Sequence, residues 1–261
     1  DYYEQITYKE MKEKVMKITC YALTLASLLM TVTAANAEEK KEDKSPWKAS
    51  AELGFIKTTG NTETQTTGFK ADVSYEIEKW RHTGHAEAYG QETEDDTGNS
   101  VVSAERYELS GKSDYKFTEL DYAYGLLKLQ KDRFSGFEYD HIVSAGYGRK
   151  VIKRDDMELD LEIGPGLRLF KVDDGDSDDE GVLRLSGVYW WDITGNSKFT
   201  QELTTEIGEE ITSTKSVTGI QANINSTLAL KFTYTIRNKS EVPPDTEKTD
   251  TEAAMTLVYN F

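Results

Sequence analysis

The sequence predicts an all-β fold: a single antiparallel transmembrane β-barrel of about 12 strands, following a cleaved signal peptide. Three observations carry the prediction. In the closing stretch Thr249–Phe261, apolar Ala253, Met255, Leu257, Tyr259 and Phe261 alternate with Glu252, Ala254, Thr256 and Asn260, and only Val258 breaks the pattern. A period-two strand ending on an aromatic residue has the form of a last outer-membrane strand, and it marks Leu257, Tyr259 and Phe261 as the barrel-assembly signal. Near the other end lies a secretory leader. Between the two, alternation recurs with no run of ~18 apolar residues, which leaves strands as the spanning element.

From the N-terminus, residues 1–10 precede Met11 and read as an upstream extension. Residues 11–37 are the expected signal peptide: Met11-Lys-Glu-Lys-Val-Met-Lys17 is basic, Ile18–Val32 is apolar, and Ala35-Asn36-Ala37 is a small-residue cleavage site. The apolar run, ~15 residues, is shorter than the ~20 of a membrane helix. Cys20 lies within it, so the chain from Glu38 onward contains no disulfide, cysteine nucleophile or thiolate metal site. Residues 38–46 form a polar segment and 47–261 the barrel. A net charge of −16 and 37% hydrophobic residues resemble a soluble protein. A barrel reconciles this, because only alternate residues of each strand meet lipid. The acidic balance argues against nucleic acid as a partner.

Strands are expected at 47–58, 65–79, 81–93, 103–116, 120–131, 139–153, 157–171, 182–193, 198–209, 215–226, 228–239 and 250–261. In the first, Trp47, Ala49, Ala51, Leu53 and Phe55 alternate with Lys48, Ser50, Glu52 and Gly54; in the second, Phe69, Ala71, Val73, Tyr75 and Ile77 form the apolar face. The third is weakest, since His82, Gly84, Ala86 and Ala88 make a poor apolar face. The seventh is clearest: Met157, Leu159, Leu161, Ile163, Pro165, Leu167 and Leu169 stand against Glu158, Asp160, Glu162, Gly164, Gly166 and Arg168. Connections sort by length. Thr59–Thr64, Glu94–Val102, Asp132–Glu138, Val172–Gly181, Glu210–Thr214 and Ser240–Thr249 are polar and long, as extracellular loops are, while the alternate ones are tight, as periplasmic turns are. Trp47, Tyr75, Trp80, Tyr115, Tyr122, Tyr189, Trp191, Phe199, Tyr259 and Phe261 fall near strand ends, where interfacial girdles form.

The opposite faces assign a charged lumen. Its cations are Lys48, Lys70, Arg106, Lys112, Lys150, Arg168, Arg184, Lys231 and Arg237. Its more numerous acids are Glu52, Asp72, Glu76, Glu78, Glu87, Glu108, Asp114, Asp121, Glu158, Asp160, Glu162, Asp192, Glu202, Glu206 and Glu252. Such a wall favours a permeating cation. Gly125, Gly146, Gly148, Gly164 and Gly166 add small inward positions. Ile163→Arg, on the lipid face, is expected to cost far more than Glu162→Arg, on the inward face.

Glu52-Leu-Gly-Phe-Ile-Lys-Thr-Thr-Gly-Asn-Thr62, Asp132-Arg-Phe-Ser-Gly-Phe-Glu-Tyr139 and Lys248-Thr-Asp250 resemble the salt-induced outer-membrane protein family, over essentially residues 47–261. The resemblance implies an outer-membrane β-barrel and assigns no catalytic or ligand residue. A barrel in that setting has outer-membrane lipid, lipopolysaccharide and, during biogenesis, the barrel-assembly machinery as partners.

Catalytic, cofactor-binding and metal-ligating constellations are missing. His82 and His85 lie by the first turn and His141 on the lipid face, with no nucleophile motif beside them, and inward carboxylates facing cations are held ionised. Asp173-Asp-Gly-Asp-Ser-Asp-Asp-Glu180 has calcium-loop spacing at Asp174, Asp176 and Asp178 but lacks the loop glycine and distant glutamate, so it reads as a solvated charge run. The expected function is non-enzymatic: a narrow cation-preferring diffusion channel for small ions or solutes, or an envelope-integrity protein. The rival is an outer-membrane enzyme or surface binder acting through its outer loops.

Overall fold

The structure, a computed structural model, describes residues 45–58, 64–94, 100–133, 135–172, 175–243 and 246–261. The leader, the extension before it, residues 38–44 of the polar segment and, in the expected loops, Thr59–Glu63, Asp95–Asn99, Phe134, Asp173, Asp174, Pro244 and Asp245 lie outside the described residues.

Twelve antiparallel strands follow one another: β1 (Trp47–Thr58), β2 (Thr64–Glu76), β3 (Trp80–Glu94), β4 (Ser100–Lys116), β5 (Asp121–Asp132), β6 (Phe137–Lys153), β7 (Met157–Val172), β8 (Ser177–Thr194), β9 (Ser197–Gly208), β10 (Thr212–Asn223), β11 (Leu228–Lys239) and β12 (Thr249–Asn260). Each pairs with its neighbours in sequence and β12 returns to β1, closing the ring. Closure is what lipid demands, since an open edge leaves backbone polar groups without partners.

The period of two becomes two faces. Leu53 and Phe55 point outward and are 62% and 63% exposed, whereas Glu52 between them is 3% exposed and faces the lumen. On β7, Leu161, Ile163, Leu167 and Leu169 are exposed while Asp160, Glu162 and Arg168 are buried inside. The poor apolar face of β3 is indeed its outward one.

The connections divide the barrel into a turn end (77–79, 117–120, 154–156, 195–196 and 224–227) and a loop end (59–63, 95–99, 133–136, 173–176, 209–211 and 240–248). The predicted contrast in length is largely lost, because strands continue into segments read as loops. Strands β4, β6, β7 and β8 have 17, 17, 16 and 18 residues, against the ~9–11 that cross a bilayer. Ser177–Glu180, read as acidic loop, pairs with Arg168–Lys171 on β7. Strand β10 starts at Thr212, three residues before its predicted start, since its outward Thr214, Ser216 and Thr218 hide the alternation. At the loop end Gly136 adopts φ 77°, a left-handed turn that a side chain would also fill against Pro243.

Aromatic pairs ring the turn end on the outside: Trp47–Tyr75 at 4.6 Å between centroids, Trp80–Tyr115 at 5.0 Å, Tyr189–Phe199 at 6.2 Å and Tyr259–Phe261 at 4.6 Å. Tyr122 departs from the predicted girdle: it points inward and is 2% exposed.

Candidate functional site

The lumen is where the sequence concentrates chemistry, and glycine shapes its wall. On β5 the Tyr122 ring lies against Gly148, and the Tyr124 hydroxyl reaches Gly164, whose strand also approaches the Ala145–Gly146 backbone closely. A Cβ at Gly148 would collide with the Tyr122 ring, and one at Gly164 would lie 2.7 Å from the Tyr124 hydroxyl. These glycines thus make room for tyrosines rather than for open space. Gly125, expected inward, faces outward beside them.

Ion pairs then cross the lumen. Towards the turn end, Arg81 joins Asp114 at 2.6 Å to Asp160 at 3.0 Å. Lys112 pairs with Glu162, which also accepts from Arg184 at 2.8 Å and from the Tyr122 hydroxyl at 3.1 Å. Lys150 meets Glu158 at 2.5 Å, and Glu76 meets Lys116 at 2.6 Å. Asp192 and Lys198 pair at 3.5 Å at the mouth, with Lys198 stacked over Trp190. Near the β1–β12 seam, Arg106 bridges Glu87 at 2.6 Å and Glu252 at 2.8 Å, Arg237 approaches the same two acids, and Lys231 meets Glu52 at 2.7 Å. His85 bonds Asp72 at 2.7 Å, and its other nitrogen faces Glu87 at 3.9 Å rather than a hydroxyl, an ion-pair geometry without a nucleophile.

At the loop end Arg168 is completely buried. It donates to Glu180 and to the Ile211 carbonyl at 2.6 Å each, and lies 3.5 Å from Asp140 and 3.6 Å from Glu206. Lys128 reaches Glu206 at 2.7 Å, and Lys239 reaches Asp140 at 2.8 Å. Phe137, Phe170 and Ile211 form a small apolar core there. Lys215 on β10 meets Glu108 on β4 at 2.9 Å, between strands on opposite sides of the ring.

Two adjoining cavities lie in the lumen, about 530 Å³ around Glu108 and Lys215 and about 1080 Å³ towards the turn end. Lys48, Ser74, Thr83, Ser110, Glu202 and Thr204 line both and form the waist between them.

Of the inward residues named above from the opposite strand faces, two are misplaced: Gly125, as noted, and Asp121, which faces outward, bonded to Tyr147 and to Arg149 at 2.9 Å. Glu78 lines the larger cavity from the β2–β3 turn, and the rest lie on the lumen side of their strands. Alternation missed the acids Asp140 and Glu180 and the cations Arg81, Lys116, Lys128, Lys198, Lys215 and Lys239. Strand parity was available for Lys128 and Arg81, whereas beside Lys215 the outer face of β10 is Thr214, Ser216 and Thr218 and turns apolar only at Ile220. These additions remove the acid surplus, so the wall is nearly balanced in charge. Contacts among residues already assigned inward argue against the mild cost expected for Glu162→Arg, because Lys112 and Arg184 clamp Glu162. Among the described residues no cluster of three or more metal-ligating side chains is present.

With this geometry in view, residues 51–261 match the family described as protein of unknown function, DUF481. The chain belongs to the DUF481 family. A relative from Escherichia coli K12, the uncharacterized protein YdiY, is 28% identical over 219 residues, covering 84% of each chain. Among solved structures, this DUF481 barrel resembles the porin NanC (10% identity, TM-score 0.51, covering 81% of this chain and 98% of that one). It also resembles the translocator domain of the autotransporter NalP from Neisseria meningitidis (11% identity, TM-score 0.50, covering 93% and 96%). At those identities the likeness establishes the fold, that of outer-membrane β-barrels.

Proposed function

We propose that this DUF481 barrel is a non-enzymatic outer-membrane channel for small ions and solutes, narrowed by ion pairs that cross its lumen. Residues 11–37 are its leader, its loop end faces outward from the cell and its turn end faces the periplasm. The observation that supports the reading most is the pair of adjoining charged cavities, with the Glu108–Lys215 bridge across the first. Because the wall is nearly neutral, selectivity comes from the loop-end mouth, with Asp178, Asp179, Glu209, Glu210, Glu241 and Glu247; at the turn end Glu119 and Asp156 are paired with Lys153 and Arg154. An acidic mouth concentrates cations, and salt screens it. The expected cation preference is therefore modest and falls as salt rises, which is also where a salt-stress role would act.

Planar-bilayer recording of the refolded protein tests this. Small conductance is expected, with a reversal potential in a KCl gradient on the cation side, and the Glu108→Gln/Lys215→Gln double variant should conduct more. Silence from both proteins would favour the second reading, an envelope-integrity barrel, which the fully buried Arg168 network supports.

A further inference from the structure

The lumen neutralises its own charge along most of its length, and the waist is where it does not. Among the described residues, every charged side chain lining the two cavities has an ion-pair partner, save Glu78 and Lys79 in the β2–β3 turn and Lys48 and Glu202 at the waist. Register explains why these two stay free. Lys48 on β1 stands beside Ser74 on β2, and Glu202 on β9 stands between Val188 on β8 and Val217 on β10, so neither has a counter-ion alongside. The acids diagonal to Lys48 are engaged, Asp72 with His85 at 2.7 Å and Glu76 with Lys116 at 2.6 Å. The third charge of the waist, Arg184, is held by Glu162 at 2.8 Å. Lys48 and Glu202 are both exposed to the lumen, and their strands lie four apart on the ring, so the free ammonium and the free carboxylate belong to different walls. Beside Lys48, the hydroxyls of Ser74, Thr83 and Ser110 on consecutive strands also have no hydrogen-bond partner among the described residues.

We propose that the waist is a filter for compact zwitterions, solutes that carry both an ammonium and a carboxylate, as amino acids and short peptides do. The inference rests on the channel reading and names its solute. A lone cation at the waist is drawn to Glu202 and repelled by Lys48, and a lone anion meets the reverse, so the two charges oppose one another for either ion. A zwitterion that turns its carboxylate to Lys48 and its ammonium to Glu202 gains from both at once. Hydroxyls donate and accept alike, so Ser74, Thr83 and Ser110 serve either end of such a solute as it passes. A neutral solute of the same size gains from the hydroxyls alone. Ion pairs such as Lys112–Glu162 and Lys231–Glu52 brace the wall, whereas two exposed charges that do not meet brace nothing. Their place is on the path of the solute.

Alanine and its uncharged isomer lactamide separate charge from size. In swelling of proteoliposomes that hold the full chain, alanine should enter several-fold faster than lactamide. Lys48→Gln and Glu202→Gln should each bring that ratio close to one. The exchanged pair Lys48→Glu/Glu202→Lys should restore most of it, because a reversed dipole still fits a zwitterion. Alanylalanine, run beside alanine, tells a peptide from an amino acid by which of the two loses more in Glu202→Gln. A ratio that survives both single variants overturns the assignment to Lys48 and Glu202. Equal entry of the two isomers, or entry of neither, overturns the filter; the channel reading fails with it only if KCl conductance is absent too. Heat-modifiable migration checks that each variant folds, and Glu202→Gln, flanked by valines, carries the comparison if Lys48→Gln does not.

Discussion

Lys215 on β10 lies 2.9 Å from Glu108 on β4, and these strands stand six apart whichever way the ring is followed. The pair therefore ties opposite walls together across the lumen, 107 residues apart in sequence. A double-mutant cycle with Glu108→Gln and Lys215→Gln should give a coupling of roughly 0.5–3 kcal/mol in denaturant unfolding from lipid. Strict additivity would mean the two side chains do not meet in the membrane.

Glycine and tyrosine should prove interdependent at the β5–β6 wall. Gly148→Val drives a side chain into the Tyr122 ring and should cost roughly 1–3 kcal/mol, the range for overpacking. In a Tyr122→Ala background the same change should cost much less, as measured by unfolding midpoints. A penalty that persists without the ring would place its cause in the strand itself.

Arg168 anchors the loop end. Arg168→Met leaves Asp140, Glu180 and Glu206 facing one another, and losing one partner of a buried ionic network costs about 3–5 kcal/mol. Arg168→Lys should rescue little, because one ammonium cannot span Glu180, Asp140 and the Ile211 carbonyl as a planar guanidinium does. Amide exchange at Glu210 and Ile211, whose N–H groups donate to Glu180, provides a local readout.

Lipid and lumen should differ in their tolerance of charge. Ile163→Arg should destabilise by ~2–4 kcal/mol if Ile163 sits at the bilayer midplane. Ser110→Arg, which opens into the waist between the two cavities, should cost much less. Equal costs in lipid vesicles would reverse the assignment of faces. Glu162 is the wrong control, since an arginine there meets Lys112 and Arg184.

The terminal strand should be indispensable because its seam is so short. The Phe261 N–H donates to the Ala49 carbonyl at 3.0 Å, and Tyr259 pairs with Ala51 within the four-residue register that closes the ring. Changing Tyr259 and Phe261 to serine should abolish heat-modifiable migration in the outer-membrane fraction. Normal migration would show that closure does not depend on them.

The sequence by itself determined the strand count, the spanning mode and most of the two faces. Lipid imposes a strict period of two, and Leu161, Ile163, Leu167 and Leu169 carry that signal locally, residue by residue. Where the outer face is polar, as along Thr214, Ser216 and Thr218, the period vanished and Lys215 was lost with it. Only the tertiary structure decided which charge opposes which. Arg106 meets Glu252 across 146 residues and Lys231 meets Glu52 across 179, separations that become contacts only through the closure of the ring. The same closure turned an apparent acid surplus into a near-neutral wall and set the β1–β12 register that runs from Ser50↔Asn260 to Leu53↔Leu257. Alternation reports which way a side chain points, and the geometry of closure determines what it meets there.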